Sequence, residues 1–400
     1  MSAAQRGWRF ASLGIWLLVF LVITGDVIRR PLSHTTTPTY RAAARNWWAG
    51  IDPYTYDSHS GFLYFPQAAI LFTPFTWGPY LLGEILWRVV VFGLFAYALT
   101  RLAVAFLARN APLTPRTFFL LSLLAIPSSM ASLRNAQFDL PLAALAVLAT
   151  AEVAAAAWGR AAFWLCLGVA LKPLAVVPLL LFGALFPRAL LPRLALGLLV
   201  VALVPFVNLH PSFVAHEYMR CGQTLLWAAQ PHEPKFSDLP ALLGRLGMGM
   251  PDRAWTFLRL SFALVSLVLG AVAVRRLVRI ESAWAIGALG ATYLMLFNPR
   301  TETCSYVILA PFVATLALLY LRASDREWLG RALGVGVLCF ACDAIPVVHY
   351  ATDRWLKPLV ALLFVPVLVD FIFRRGRARK ESPSNIPFSS ANRAERRSCN

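Results

Sequence analysis

Asp26, Asp52 and Glu302 are carboxylates in a chain that otherwise has few, and Arg134, Lys172 and Arg300 are cations set beside or inside apolar runs. A carboxylate in a partly dry cavity can take a proton from a hydroxyl. Arg or Lys at the level of a membrane headgroup can hold a phosphate. Gln137, Tyr40 and Tyr54 lie close to these groups in sequence and could add hydrogen bonds to a bound substrate. Each residue also has a plainer reading. Asp26 could simply end the first helix in water. Asp52, in Asp52-Pro53-Tyr54, could cap a turn. Arg134 could snorkel from a helix end. Gln137 and Asp139 could cap the next helix, and Arg300 could pair with Glu302. Lys172 is the hardest to explain away, because it interrupts an apolar run and needs a partner or water.

What must position these residues is a membrane-spanning scaffold. Hydrophobic residues make up 59% of the 400 and charged residues 14%. A chain so poor in charge cannot cover itself with a polar surface. The apolar runs are continuous and of about 17–25 residues, as spanning helices require. Barrel strands would alternate and be shorter. The expectation is an all-α, polytopic fold over residues 1–373, with about ten full crossings. Their approximate bounds are 10–24, 81–107, 117–133, 138–157, 194–208, 255–274, 282–297, 305–321, 329–348 and 356–373. Residues 62–77 are apolar but short, with Pro66 and Pro74, and should dip in without crossing. Residues 161–186 are interrupted at Lys172-Pro173 and should form a broken, re-entrant pair of half-helices. Two polar loops, about 26–61 and 209–254, complete the plan. The tail 374–400 is basic, then Ser/Pro/Asn-rich, and is expected to lack order.

The net charge of +18 does not call for nucleic acid, because the basic clusters sit between apolar runs where cytoplasmic loops belong. That assignment puts both termini in the cytoplasm and both long loops outside. It also gathers Asp26, Asp52, Arg134, Gln137, Lys172 and the 298–302 motif at one face, which suggests a cavity there. The first run follows a basic start but lacks a small-x-small cleavage site, so it reads as an uncleaved helix. The six cysteines form no framework, and Cys339-x-x-Cys342 reads as small packed residues. The histidines show no metal-ligand spacing, and no metal or other cofactor is expected. Walker, dinucleotide and nucleophile-elbow patterns are missing, which argues against an ATP-driven pump.

Several motifs in order resemble a known family. Tyr40-Arg-Ala-Ala-Ala-Arg-Asn-Trp-Trp-Ala-Gly50-Ile-Asp-Pro-Tyr54 and Tyr64-Phe-Pro66 resemble the first loop of the bacterial polyprenyl-phosphate-dependent glycosyltransferases of GT-C fold, nearest to family 87, the alpha-mannosyltransferase-like group. Asn135-Ala-Gln137 is similar to that family's Gly-Gln-Asn hairpin, Gly168-Val-Ala-Leu-Lys172-Pro173 to its Lys-Pro helix, and 298–302 stands where the family has a Ser-Pro loop. The resemblance implies a multi-pass protein of the bacterial plasma membrane with a lipid-phosphate sugar donor, mannose being the first to consider. It implies a lipid, glycan or protein acceptor, a carboxylate base at the outer face, and inverting transfer without a bound nucleotide. Trp47, Trp48 and Tyr54 would then stack on sugar faces or anchor the loop. The family places its catalytic Asp about four residues before the Tyr matched to Tyr40, and Thr36 stands there. The base would then be Asp26, next Asp52, next Glu302. Two other readings stay open: an inactive scaffold that binds a lipid-linked glycan, and a lipid or solute transporter. Against the transporter stand the lack of an internal repeat and the crowding of polar residues at one face.

Overall fold

The computed structural model describes residues 3–54, 61–108, 113–229, 236–342, 346–352 and 354–381. Every regular element among them is helical. The α-helices are α1 (Ala3–Arg29), α2 (Thr37–Ala49), α3 (Pro66–Phe72), α4 (Tyr80–Leu102), α5 (Pro115–Asn135), α6 (Asp139–Ala154), α7 (Trp158–Leu171), α8 (Val176–Leu185) and α9 (Pro187–Leu203). They continue with α10 (Pro211–Ala228), α11 (Leu239–Arg245), α12 (Asp252–Arg276), α13 (Arg279–Phe297), α14 (Ala310–Leu321), α15 (Glu327–Cys339), α16 (Pro346–Thr352) and α17 (Leu356–Glu381).

Seven segments among the described residues are long and apolar enough to cross a membrane: Ala4–Arg29, Tyr80–Leu107, Pro115–Arg134, Pro187–Val207, Asp252–Arg276, Arg279–Phe297 and Leu356–Arg377. The chain is an all-α, multi-pass membrane protein. The other three expected crossings are shorter helices. α6 has 16 residues, α14 has 12 and α15 has 13. The apolar runs that suggested full crossings also include non-α stretches: Ala155–Ala157 leave the helix after α6, and a 3₁₀ turn, Thr303–Ile308, precedes α14. At 1.5 Å per residue, α6 covers about 24 Å, short of a hydrocarbon core of about 30 Å.

α6 is short because it is buried on every side, so it need not match lipid. It packs against α4, α7 and α13. α13 and α14 are buried nearly as fully. α9 and α12 present most of their apolar residues outward, as helices facing hydrocarbon do. Charged ends pin α6 at both limits. Asp139 begins it, and Glu152 near its end forms ion pairs with Arg101 and Arg160, each at 2.9 Å.

The break at Lys172 is real. α7 stops at Leu171, Lys172 takes an extended conformation (φ −147°, ψ 127°), and a 3₁₀ turn Pro173–Ala175 leads into α8. Pro173 enforces this, since it disfavours helical geometry in the residue before it. The short apolar stretch after residue 62 forms α3 and a 3₁₀ turn, Thr73–Thr76, too short to cross. At the other end, α17 continues past Phe373 to Glu381, so the first part of the basic tail extends a helix; residues 382–400 lie outside the described residues.

One close approach fixes the first loop to the bundle. Arg41 on α2 donates to the carbonyl oxygens of Phe75 (2.6 Å) and Thr76 (3.3 Å). This is possible because Gly83 has no side chain: a Cβ there would lie 2.0 Å from the Phe75 carbonyl oxygen and 2.7 Å from the Arg41 guanidinium. Gly83→Ala should therefore lower stability by about 1–3 kcal/mol, as overpacking does, measured as a drop in melting temperature in detergent. An unchanged melting temperature would mean the turn moves freely.

Candidate functional site

Six successive residues spanning the junction of α5 and α6, Arg134 to Asp139, form the hub of the candidate site. α5 ends because Ala136 turns left-handed (φ 57°), and its N–H caps the helix at Leu133. A non-glycine residue there carries a steric cost, which the surrounding bonds must hold in place. The turn reaches six other parts of the chain.

Arg134 forms an ion pair with Asp26 at the end of α1 and donates to the Arg30 carbonyl oxygen at 3.4 Å. The Asn135 carbonyl oxygen accepts from the Thr36 backbone N–H (2.9 Å) and hydroxyl (3.0 Å). The Ala136 carbonyl oxygen accepts from Trp87 Nε1 at 3.0 Å. Gln137 donates through Nε2 to Glu302 and accepts through Oε1 from Cys304 Sγ. Phe138 is wrapped by Tyr40, Tyr64, Phe72 and Trp87, at centroid distances of 4.5–6.5 Å. Asp139 pairs with Lys172 at 2.7 Å.

Of the six charged candidates, the hub joins Arg134, Asp26, Lys172 and Glu302. Lys172 meets Asp139 on one side and lies in the electrostatic reach of Glu302 and Tyr40. Its side chain is 16% exposed, while that of Asp139 is 2% exposed. Glu302 is exposed, and its hydrogen bonds come from the Gln137 amide and, at 3.6 Å, the Cys304 thiol. Asp26 is half-exposed and engaged by a guanidinium. Below Arg134, Arg88 donates to its carbonyl oxygen (2.7 Å) and to Glu84 (2.7 Å), in an ion pair with both partners buried. Thr37 donates to the other Glu84 oxygen. This buried pair ties α2, α4 and the hub together.

Asp52 has a different task. Its Oδ1 accepts from the Tyr54 N–H (2.6 Å), which closes the Asp-Pro-Tyr turn, and its Oδ2 accepts from Arg220 on α10 (2.8 Å). Arg220 also donates to the Tyr54 carbonyl oxygen at 3.2 Å. The pair clasps the first loop to the second, so the plainer reading of Asp52 describes what it does here. Tyr54 is fully buried, and its hydroxyl donates to the Tyr64 carbonyl oxygen at 2.8 Å. Tyr40 is buried too, with its hydroxyl 3.1 Å from that of Tyr64. Burial pushes the Tyr40 hydroxyl well above its ordinary range, so it stays protonated. Tyr54, like the buried Trp47, is wall rather than stacking surface in this conformation; Trp48 is exposed and donates to Thr73 at 2.9 Å.

Arg300 lies over the rings of Trp227 (4.9 Å) and Phe236 (5.7 Å), a cation–π arrangement. Its loop is braced from two sides. Ser237 N–H donates to the Thr301 carbonyl oxygen (2.7 Å), and the fully buried Lys357 donates to that of Thr303 (2.8 Å). Next to this brace, burial pushes the Asp238 carboxyl up to about 6, partly offset by the Ala241 N–H it caps and by Arg259. A carboxyl raised on folding binds extra protons in the native state between its unfolded value and about 6. Stability must therefore fall as pH rises through that window. Asp238→Asn keeps the capping oxygen. It should raise the melting temperature relative to the parent at pH 7.5 and leave it unchanged at pH 4. An equal gain at both pH values would exclude the linkage.

Sequence reasoning missed Asp139 as the partner of Lys172, Arg220 as that of Asp52, and Lys357 altogether. The signal for Asp139 was present: a carboxylate opening a wholly apolar helix. No group of three or more potential metal ligands occurs among the described residues.

A multi-pass helical membrane protein with cations and carboxylates gathered at one inter-helix turn is the class these features define. The family model for glycosyltransferase family 87 matches residues 62–299, more than half of the chain, and the chain belongs to that family. It is a membrane glycosyltransferase. Among solved structures, the crystal structure of ArnT from Cupriavidus metallidurans in the apo state is similar, with TM-score 0.49 and 16% identity over 94% of this chain and 73% of that one. No curated protein matches the sequence.

Proposed function

We propose that the chain moves a sugar from a polyprenyl-phosphate donor to a lipid, glycan or protein acceptor at the outer face of the membrane, within a GT-C-like architecture. The observation that carries this reading is the hub at Arg134–Asp139, which brings a half-buried lysine and an exposed glutamate into one electrostatic neighbourhood. The donor phosphate would engage Lys172 and Arg134, with Arg300 at the rim of the second loop. Binding would divide Lys172 between Asp139 and the phosphate, and Arg134 between Asp26 and the phosphate.

Glu302 is the better base of the three carboxylates. Asp26 and Asp52 are each already occupied by a guanidinium, which an incoming hydroxyl would have to displace. Glu302 receives its hydrogen bonds from uncharged groups and is open to an incoming hydroxyl. Thr36, where the family's Asp would stand, bonds to the hub at Asn135, so that position also borders the proposed site.

The test is transfer by the purified protein from radiolabelled polyprenyl-phosphate-mannose to a membrane extract, with the glucose and arabinose donors alongside. Product from one donor supports the reading. No product from any of them, with the protein folded, would shift the weight to the scaffold or transporter.

A further inference from the structure

At the opposite end of α1 and α5 lies a cavity of about 730 Å³ that the transfer chemistry does not use. It runs between α1, α4 and the start of α5, and Trp16, Phe20, Phe92 and Phe118 form its walls. Leu13, Leu17, Val89 and Tyr97 border it and are exposed, so it opens sideways, where hydrocarbon would lie. The polar groups on its walls are already satisfied by protein. Ser12 donates to the Trp8 carbonyl oxygen (2.9 Å), Trp16 Nε1 to Ser122 (3.1 Å), and Thr100 to the Ala96 carbonyl oxygen (2.9 Å). The walls therefore offer a chain only apolar contact.

One end of the cavity is basic. Arg9 lines it and is exposed, and Arg116, one residue from the lining Pro115, lies 5.9 Å over the Trp8 ring. Arg101 at the same end is held by Glu152. α1 and α5 both begin at this end and α4 finishes here, so the opposed helix dipoles partly offset and the positive charge rests on the arginines. From Arg9 to Asp26 is 17 residues of α1, roughly 25 Å of helix, so this is not the hub site.

We propose that the cavity holds an anionic glycerophospholipid of the surrounding membrane, its acyl chain against Trp16, Phe20 and Phe92 and its phosphate at Arg9 and Arg116. An apolar slot with cations only at its mouth selects that chemistry over a free anion, which would have no use for the walls. It also selects it over a zwitterionic lipid, whose amine would meet the arginines. The volume lies within the usual range of ligand pockets, about 300–1,000 Å³.

Gly93 gives a clean test. It lines the cavity, and a Cβ added there meets nothing within 4 Å. Gly93→Phe should fill the slot without disturbing the packing, and Gly93→Leu is a smaller second variant. The full-length protein, purified in detergent and stripped of lipid, is mixed with equal amounts of phosphatidylglycerol and phosphatidylethanolamine and examined by native mass spectrometry, with circular dichroism to verify folding. The parent should retain phosphatidylglycerol preferentially. Both Gly93 variants should lose most of that adduct, and Arg9→Gln, a surface change that keeps the slot, should cut the preference roughly fivefold. Equal retention of the two lipids by the parent, or an undiminished phosphatidylglycerol adduct in folded Gly93→Phe or Gly93→Leu, overturns the proposal. The readout does not involve sugar transfer, so it stands or falls apart from the transferase reading.

Discussion

Lys172→Met should abolish sugar transfer and also destabilise the protein. The two effects have different origins and can be separated. Lys172 pairs with Asp139 at 2.7 Å, and the Asp139 side chain is 2% exposed. Removing the lysine strands a buried carboxylate, and breaking a buried pair from one side typically costs about 3–5 kcal/mol. A lower melting temperature alone would thus say nothing about catalysis. The double variant Lys172→Met/Asp139→Leu removes both charges, and replacing a buried pair by apolar groups is often neutral or stabilising. It should recover most of the lost melting temperature and none of the transfer, because the donor phosphate has still lost its cation. Lys172→Arg should keep measurable transfer. Photolabelling with a polyprenyl-phosphate analogue should fail in the single and double Met variants alike. Transfer regained in the double variant would reduce Lys172 to a structural role and move the phosphate to Arg134 and Arg300.

The pairing of Lys172 with Asp139 shows where the sequence was legible and where it was not. A lysine inside an apolar run announces that it needs a partner, and Lys-Pro announces the break; both are local signals. The partner is 33 positions away, at the head of a helix whose apolar composition gave Asp139 an ordinary capping role. The same limit applies to Asp26 and Arg134. Each stood out by itself, yet their contact spans 108 positions, and only the packing of α1 against α5 brings them together. That contact occupies the Asp26 carboxylate with a guanidinium, which no spacing rule could foresee. Asp52 went the other way. Its Asp-Pro-Tyr turn is a local motif, so the capping role could be read directly, while Arg220, 168 positions on, could not. The crossings follow the same logic. Apolar run length measures burial, and burial in lipid and burial in protein look alike; α6 and α14 are apolar because other helices surround them. The long helices facing hydrocarbon, such as α9 and α12, were the ones composition described well.

Glu302→Gln should lower turnover by about 10²–10⁴-fold, the usual range for loss of a general base, with donor binding nearly intact. Glutamine keeps the size of the side chain and an oxygen for the Gln137 amide, so the hub should survive and the melting temperature should hold. A fall in kcat with little change in the donor's KM is the pattern expected when a group acts only on the way to the transition state. Asp26→Asn is the matched comparison: it leaves Arg134 without its ion pair at a half-exposed position and should cost little turnover if Glu302 is the base. The alternative has its own signature. Thr36 bonds to Asn135 of the hub through both its N–H and its hydroxyl, so a carboxylate introduced by Thr36→Asp would lie at the edge of the same site. If Glu302 already serves, Thr36→Asp in the parent should add nothing, whereas in the Glu302→Gln background it should restore part of the lost rate. If Glu302→Gln is silent and Thr36→Asp alone raises turnover, the chain has lost its base at position 36 and Glu302 only braces Gln137. If Asp26→Asn is the variant that abolishes turnover, Arg134 must release Asp26 on binding the donor phosphate, and the ion pair is then a resting state that the donor opens.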